Sequence, residues 1–455
     1  MNNSKIVVAL KYFKGELNPF DCSALEIALS LNCDVTVLAM APLSVIEQLK
    51  NITRLGVKAI LISDTSYAGS DTIATSLVLA EAIKRLNPNY VFCGRQSVDG
   101  DTAQVPPMLA KRLNYKIITK ATEVVGCNAI LRNGEKIKVQ SNTIITFEKS
   151  KRLRFPSIFS KAQEVQVWDN TILNIPIEKC GIVGSTTKVL RTYESDVGRR
   201  FCEFKNFADF DNLIKESLTK QVVAEREKDG QKLDCIWYVG NIKSIANKIA
   251  KRAIMIDEVN KSAEEIAKFI NENQIKNVIW EDSESLKTLS AKVAVLLNAG
   301  LCADCISFCV ENDKLVMTRP AQGGTVTADI VGTTTVTMAT VRTEKKQGTE
   351  IVFAIGKGAT GKKQEIINLA KKYNAEVCCS RIVADNGVMP YECQVGLTGK
   401  SVYPKVYVAF GISGAVQHTC AFTGARTVIA INNDKDARIF DFADYGIIQN
   451  INEIF

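Results

Sequence analysis

Residues 405–432 read KVYVAFGISGAVQHTCAFTGARTVIAIN. Val406–Phe410 is a β-branched and aromatic run of the kind a buried strand requires. Gly411, Ile412, Ser413 and Gly414 break it, residues 415–421 open a helix, and residues 428–431 read as the next strand. A strand, a glycine turn and a helix N-terminus make an anion site, because glycine lets the backbone approach a phosphate and first-turn N–H groups point at it. The same succession is also an ordinary structural turn, so both readings stand at this point. His418, the only histidine in the chain, falls on that first helical turn.

The surrounding 455 residues suggest about three domains. An apolar content of 46% with 23% charge is that of a globular protein, which sets aside disordered and fibrous classes. The net charge of +8 gathers nowhere except Lys149, Lys151, Arg152 and Arg154, beside Phe155 alone. That pattern fits a solvated face better than a nucleic-acid groove. No apolar run reaches about 18 residues without a charge, and the opening MNNSKIVVALKYFKG lacks the core and cleavage site of a signal peptide. A cytoplasmic location is therefore expected. Most of the 14 cysteines stand singly in apolar segments, as Cys93, Cys235 and Cys309 do. Cys302 and Cys305 form one Cys-x-x-Cys, but no second pair has matching spacing, so no metal centre is expected and reduced thiols are.

Over the first 120 residues strand and helix patterns alternate, and the strands are continuously apolar. This predicts a parallel sheet covered on both faces. After its fourth strand comes the loop 94–104, where an open α/β sheet holds its ligand. From residue 121 to 155 the pattern turns to alternating residues, with Asn133-Gly134 as a hairpin signal. Residues 192–230 are charged and poor in strand signals, with a helix near 207–226, and read as a connecting arm. A second alternation begins at Leu233–Val239 and a third unit at residue 351. The organisation expected is 1–191, an arm 192–230, 231–342 and a C-terminal unit 343–455: three α/β units, the first two weakly repeated in plan and the last doubly wound.

Three chemistries compete for the C-terminal unit. A serine hydrolase is rejected, since Gly411-Ile412-Ser413-Gly414-Ala415 lacks the elbow spacing. A dinucleotide fingerprint is approached by Gly356, Gly358 and Gly361 between a strand and a helix. The third reading is a flavin or nucleotide carrier whose loops 356–361, 380–387, 394–400, 411–418 and 432–450 converge on one cofactor.

Ser380-Arg381, the run Gln394 to Lys400, Gly411 to His418, Ala430-Ile431-Asn432 and Ala443-Asp444-Tyr445-Gly446 resemble, in order and spacing, the FAD domain of the electron transfer flavoprotein α subunit. Arg319 to Gly324, with Met338 to Arg342, resembles the end of that subunit's first domain. Asn18-Pro19-Phe20-Asp21, Asp99 to Gln104 and Phe155-Pro156-Ser157 are similar to the β subunit. The resemblance spans nearly the whole chain and implies a natural β–α fusion that carries electrons. It implies FAD contacts at Lys357, Ser380, Arg381, Gln394, Val395, Gly396, Leu397, Thr398, Gly399, Ser413, Gly414, Ala415, Val416, Gln417, His418, Asn432 and Asn450. Of these, Arg381 would set a positive charge by the flavin ring, Thr398 would donate to the reactive flavin nitrogen, and His418 would donate to a flavin carbonyl oxygen.

Lys357 stands where the family usually has arginine, Leu397 where respiratory members have glutamine, and Asn450 where an acid is common. The β-like half further implies a second adenine nucleotide, AMP or a full FAD, at Ala9, Asn18, Pro19, Phe20, Met40, Asp99, Gly100, Asp101, Thr102, Ala103, Gln104 and Val105. Pro106-Pro107 follows where glycine is expected, and the residues between Lys11 and Asn18 are too few for the usual hairpin loop. Leu173 matches the leucine that β subunits present to a partner dehydrogenase, so it is expected to be exposed. The implied partners are a flavin dehydrogenase of the acyl-CoA type and a second redox protein. The alternatives are NADH-driven bifurcation to ferredoxin, or a non-redox nucleotide-binding regulator. The C-terminal unit is expected to swivel on residues 341–348.

Overall fold

The computed structural model describes residues 4–132, 134–194, 200–219, 231–257, 261–321, 326–342, 350–396, 399–400, 402–422 and 424–455. Leu397, Thr398 and all but the first two residues of the expected swivel segment lie outside them. The chain divides into two compact units, one formed by Met1–Tyr193, Gly230–Gln322 and Thr327–Thr343, the other by Glu194–Asp229, Gly323–Val326 and Glu344–Phe455.

In the first unit, nine strands lie side by side in the order Gln166–Trp168, Lys58–Ile62, Asp34–Met40, Lys5–Leu10, Tyr90–Gly94, Thr143–Phe147, Lys116–Val125, Asn128–Leu131 and Lys136–Lys138. The first seven pair in parallel and the last two antiparallel. The continuous apolar runs have a plain cause. Ile6, Val8, Val37, Phe92 and Ile145 enter one core, while Val7, Leu38, Ile60, Val91 and Ile144 enter another on the opposite face.

The second half of this unit repeats that order. Its strands run Ala250–Met255, Leu233–Val239, Asn277–Glu281, Thr337–Val341, Gly300–Cys305. In both halves a strand later in the chain than its two neighbours, Thr143–Phe147 or Thr337–Val341, inserts between them. The repeat extends to single atoms. Lys120 takes φ +60° at a register shift and gives its N–H to Thr146 Oγ1 at 3.0 Å, while Asp304 takes φ +59° and gives its N–H to Thr340 Oγ1 at 2.9 Å. The halves are welded: Thr187–Glu194, whose start Asp71 holds by accepting from the N–H and hydroxyl groups of Thr186 and Thr187, lies beside Val326–Gly332 in a four-stranded sheet of the second half, and Ile73 and Met108 join the second half's core.

The second unit is a parallel sheet ordered Glu203–Phe204, Tyr445–Ile448, Thr427–Asn432, Val406–Phe410, Ile351–Ile355, Glu376–Cys379. Its edge strand, and the helix Phe210–Thr219, come from the stretch read as a connecting arm. Phe210, Leu213 and Ile214 are buried against Phe353 and Phe410, so residues 203–219 are part of this fold rather than a tether.

Candidate functional site

In the second unit the loops after four strands are tied together by backbone bonds at the carboxyl edge of the sheet. Gly356 N–H donates to Phe410 O at 2.8 Å, Gly411 N–H to Ile431 O at 2.9 Å, Ser380 N–H to Ile355 O at 2.9 Å, and Val395 N–H to Cys379 O at 2.9 Å. Asn432 Nδ2 donates to Ile412 O at 2.9 Å, which fastens the loop 411–414 to the end of Thr427–Asn432. The expected contacts Lys357, Ser380, Arg381, Gln394, Val395, Gly396, Gly399, Ser413 to His418 and Asn432 are thus brought to one edge. Asn450 follows the neighbouring strand there, and its carboxamide oxygen caps the short helix Ile451–Ile454.

Glycines are required where the loops cross. Gly414 has φ +86°, and a Cβ on it would lie 2.1 Å from Ile439 N; a Cβ on Gly399 would lie 2.1 Å from Gln394 O. Ser413, Ala415 and Gln417 remain exposed. The helix begun by the glycine turn is only Val416–Thr419, shorter than residues 415–421 suggest, so a macrodipole there is slight.

Ser380 precedes the helix Arg381–Asp385 without capping it, and its Oγ is buried with no hydrogen-bond partner. A buried hydroxyl without a partner is destabilising, and a ligand oxygen or N–H would satisfy it. Arg381 is part-exposed and its Nε meets Asp385 Oδ2 at 3.2 Å, so its charge is present at the edge but shared.

His418 departs from its expected role. It is buried, with Nδ1 2.9 Å from Val395 O and Nε2 2.9 Å from Tyr407 OH. The carbonyl can only accept, so Nδ1 carries the proton and the neutral Nε2 accepts from the tyrosine. Burial lowers its pKa to about 4, against the hydrogen bond to Val395. The imidazole braces the loop 394–400 against the strand Val406–Phe410, and it could donate to a flavin oxygen only by giving up one of these bonds. Sequence reading had missed Tyr407 as a site residue. A buried tyrosine needs a partner for its hydroxyl, and that was its one available signal.

In the first unit, Ala9, Met40 and the loop 95–105 sit at the carboxyl edge of the nine-stranded sheet, as expected. The polar groups there mostly engage one another: Lys11 Nζ to Asp99 Oδ2 at 2.8 Å, Asn18 Nδ2 to Gln96 O at 2.9 Å, Gln96 Nε2 to Asp101 Oδ1 at 3.1 Å, and Thr72 Oγ1 to Gln104 Oε1 at 2.9 Å. Gln104 Nε2 reaches Leu301 O at 3.2 Å in the other half. The helix Val105–Leu113 opens with Pro106 and Pro107, and Met108 N–H is bound to Gln104 O. Of its first four residues only Val105 has an N–H left for a phosphate, so this edge does not fit a diphosphate held by that helix. Asp21, missed as a site residue, lies beneath. It accepts from Lys11 N at 2.7 Å and Gly94 N at 2.9 Å, and burial raises its pKa to about 7 against those bonds.

Leu173 is a correction. Asp169 caps the short helix Asn170–Leu173, Arg85 donates to Leu173 O at 2.8 Å, and the leucine turns inward to 2% exposure beside Tyr67 and Val78. Its neighbours Ile172, Ile177, Ile182 and Val183 are the exposed apolar residues of that region. Among the described residues no group of three or more His, Cys, Asp or Glu side chains could hold a metal ion, and no helix is long and apolar enough to cross a membrane.

The electron transfer flavoprotein domain matches twice, over residues 6–132 and 243–371, and the electron transfer flavoprotein FAD-binding domain matches residues 347–423. Protein FixA of Azorhizobium caulinodans is 31% identical over 237 residues, covering 45% of this chain and 83% of that protein. The electron transfer flavoprotein subunit alpha of Bacillus subtilis is 30% identical over 227 residues, 41% of this chain and 70% of that one. A protein of Anaerotignum propionicum named acryloyl-CoA reductase electron transfer subunit beta is 46% identical over 112 residues, 24% of this chain and 30% of that one.

Proposed function

Because the chain belongs to the electron transfer flavoprotein family, with a β-like half followed by an α-like half, we propose that it carries electrons between a flavin dehydrogenase of the acyl-CoA type and a second redox partner, using one FAD held by its C-terminal unit. The observation that carries the cofactor assignment is the buried, partnerless Ser380 Oγ on the loop edge where the FAD-binding domain matches. When bound, FAD supplies reversible one- and two-electron chemistry. The chain's own residues receive it. Lys357 stands exposed at the turn 356–358 to meet the diphosphate as a point charge. Ser380 Oγ offers a hydroxyl, and Arg381 places a cation where reduction builds negative charge. His418 and Asn432 act as positioning residues that hold the loops 394–400 and 411–414 in place.

An acyl-CoA-type partner is supported by the relative named for acryloyl-CoA reductase. NADH-driven bifurcation is the second reading; it would require a second flavin in the β-like half, where the helix start at Pro106-Pro107 speaks against a diphosphate.

The chain should purify yellow, and protein stripped of flavin should regain its visible spectrum with FAD at one per chain. Colourless protein that refuses added FAD would overturn the proposal. Bleaching by NADH alone would favour bifurcation, while bleaching only with acyl-CoA and a dehydrogenase would favour the simple carrier.

A further inference from the structure

Residues 149–163 lie between the strands Thr143–Phe147 and Gln166–Trp168 of the first unit. They include Lys149, Lys151, Arg152, Arg154 and Lys161 and no acidic residue; Glu148 and Glu164 close the span. Three of the four most exposed large apolar side chains among the described residues fall within five positions of this loop. They are Phe155 at 95%, Ile158 at 83% and Phe159 at 87%. Ser160 N–H donates to Ser157 O at 3.1 Å, so Ile158 and Phe159 occupy the two central positions of a tight turn.

The loop is pinned along its length. Ser23 Oγ accepts from the N–H groups of Ser150 and Lys151, each at 3.1 Å, and donates to Lys151 O at 2.9 Å. Glu26 accepts from Arg154 N–H at 3.0 Å and from Arg154 Nη2 at 2.7 Å. Arg54 donates to Ser157 O at 3.2 Å and to Ser160 O at 3.3 Å, and Thr53 Oγ1 accepts from Gln163 N–H at 2.7 Å. A loop held at so many points keeps its apolar tips outward. Leaving three such side chains in water forgoes burial, and a contiguous apolar patch of this kind marks a surface that meets something else.

The charge says what. Cations stand on both sides of the turn, at its base; Arg154 is held by Glu26 and Lys151 lies 3.3 Å from Glu123, while Arg152 and Lys161 are exposed. An apolar tip above a cationic collar matches the layers of a bilayer surface, acyl boundary beneath and phosphates above. A protein partner would seat an aromatic anchor in a shaped pocket; three tips on a projecting turn suit a fluid surface better.

We propose that the loop 149–163 seats the chain on an anionic phospholipid bilayer, with Phe155, Ile158 and Phe159 entering the headgroup–acyl boundary and Arg152 and Lys161 meeting phosphates. The chain lies on this surface rather than crossing it. No flavin takes part, so the inference stands or falls separately from FAD binding.

The test uses the full chain with vesicles of phosphatidylcholine and phosphatidylglycerol in equal parts, and with vesicles of phosphatidylcholine alone. The chain should sediment with the first and stay in solution with the second, and about 0.5 M salt should weaken binding several-fold. Phe155→Ser together with Phe159→Ser, both at exposed positions that leave the core intact, should weaken it about ten-fold. Phe155→Trp should add an emission that shifts to the blue on anionic vesicles and is quenched by lipids brominated on their acyl chains. Failure to sediment with anionic vesicles would overturn the proposal, as would undiminished binding by the double serine variant or an unquenched Phe155→Trp signal. Salt-sensitive binding to an acidic protein, lost in the double variant while vesicles are ignored, would overturn it in favour of a protein partner.

Discussion

At the scale of the residue, His418 carries the clearest consequence. Its folded pKa of about 4 lies below the ordinary 6.5, so the unfolded chain binds the extra proton first. Stability of the C-terminal unit is then fully present above pH 6.5 and falls as pH drops toward 4, by up to about 3 kcal/mol. Denaturant unfolding of the full chain across this range should show the loss. His418→Gln should be less stable at pH 8, yet vary less between pH 6.5 and 4. Asp21 has the opposite sign. Its pKa is raised from 3.8 to about 7, so its contribution to the first unit is largest below pH 3.8 and is lost as pH rises through 7. Asp21→Asn should flatten that dependence. Arg381→Ala should lower the midpoint potential of bound flavin, about 59 mV for each 1.4 kcal/mol of preference lost. Because Asp385 shares the guanidinium, a shift within one such step is expected, read by spectroelectrochemistry.

At the scale of the element, the helix Phe210–Thr219 decides whether the C-terminal unit stands. Phe210 is 2% exposed and meets Phe353, Tyr373 and Phe410. Phe210→Ala should cost about 3–5 kcal/mol, and thermal unfolding followed by flavin fluorescence should report flavin loss at lower temperature than in the parent chain. The helix Val105–Leu113 bears on the second nucleotide. With two prolines in its first turn, acid release from purified protein should yield one FAD per chain and no second one. Two FAD per chain would show that the β-like edge holds a diphosphate by other groups.

At the scale of the whole molecule, much of the fold is legible in the sequence. Val406–Phe410 and Leu233–Val239 are strands with the bounds their apolar runs suggested, and the glycine loops follow those strands in the expected order. Such features are local: a buried parallel strand announces itself by an unbroken apolar run, and a tight crossing by glycine. The repeat was visible only in plan, because strand order is set by pairing between segments far apart in the chain. Other matters belonged to the tertiary structure alone. Residues 203–219 read as a polar arm because their amphipathic pattern does not say which sheet it will cover. Leu173 has a leucine's preference for burial, but only the core around Tyr67 and Val78 draws it inward. The sequence by itself determined the family, the sheets and the loops that would meet. Which way His418 and Leu173 face was decided by folding, since a side chain's direction depends on partners such as Val395 and Tyr407 that periodicity cannot supply.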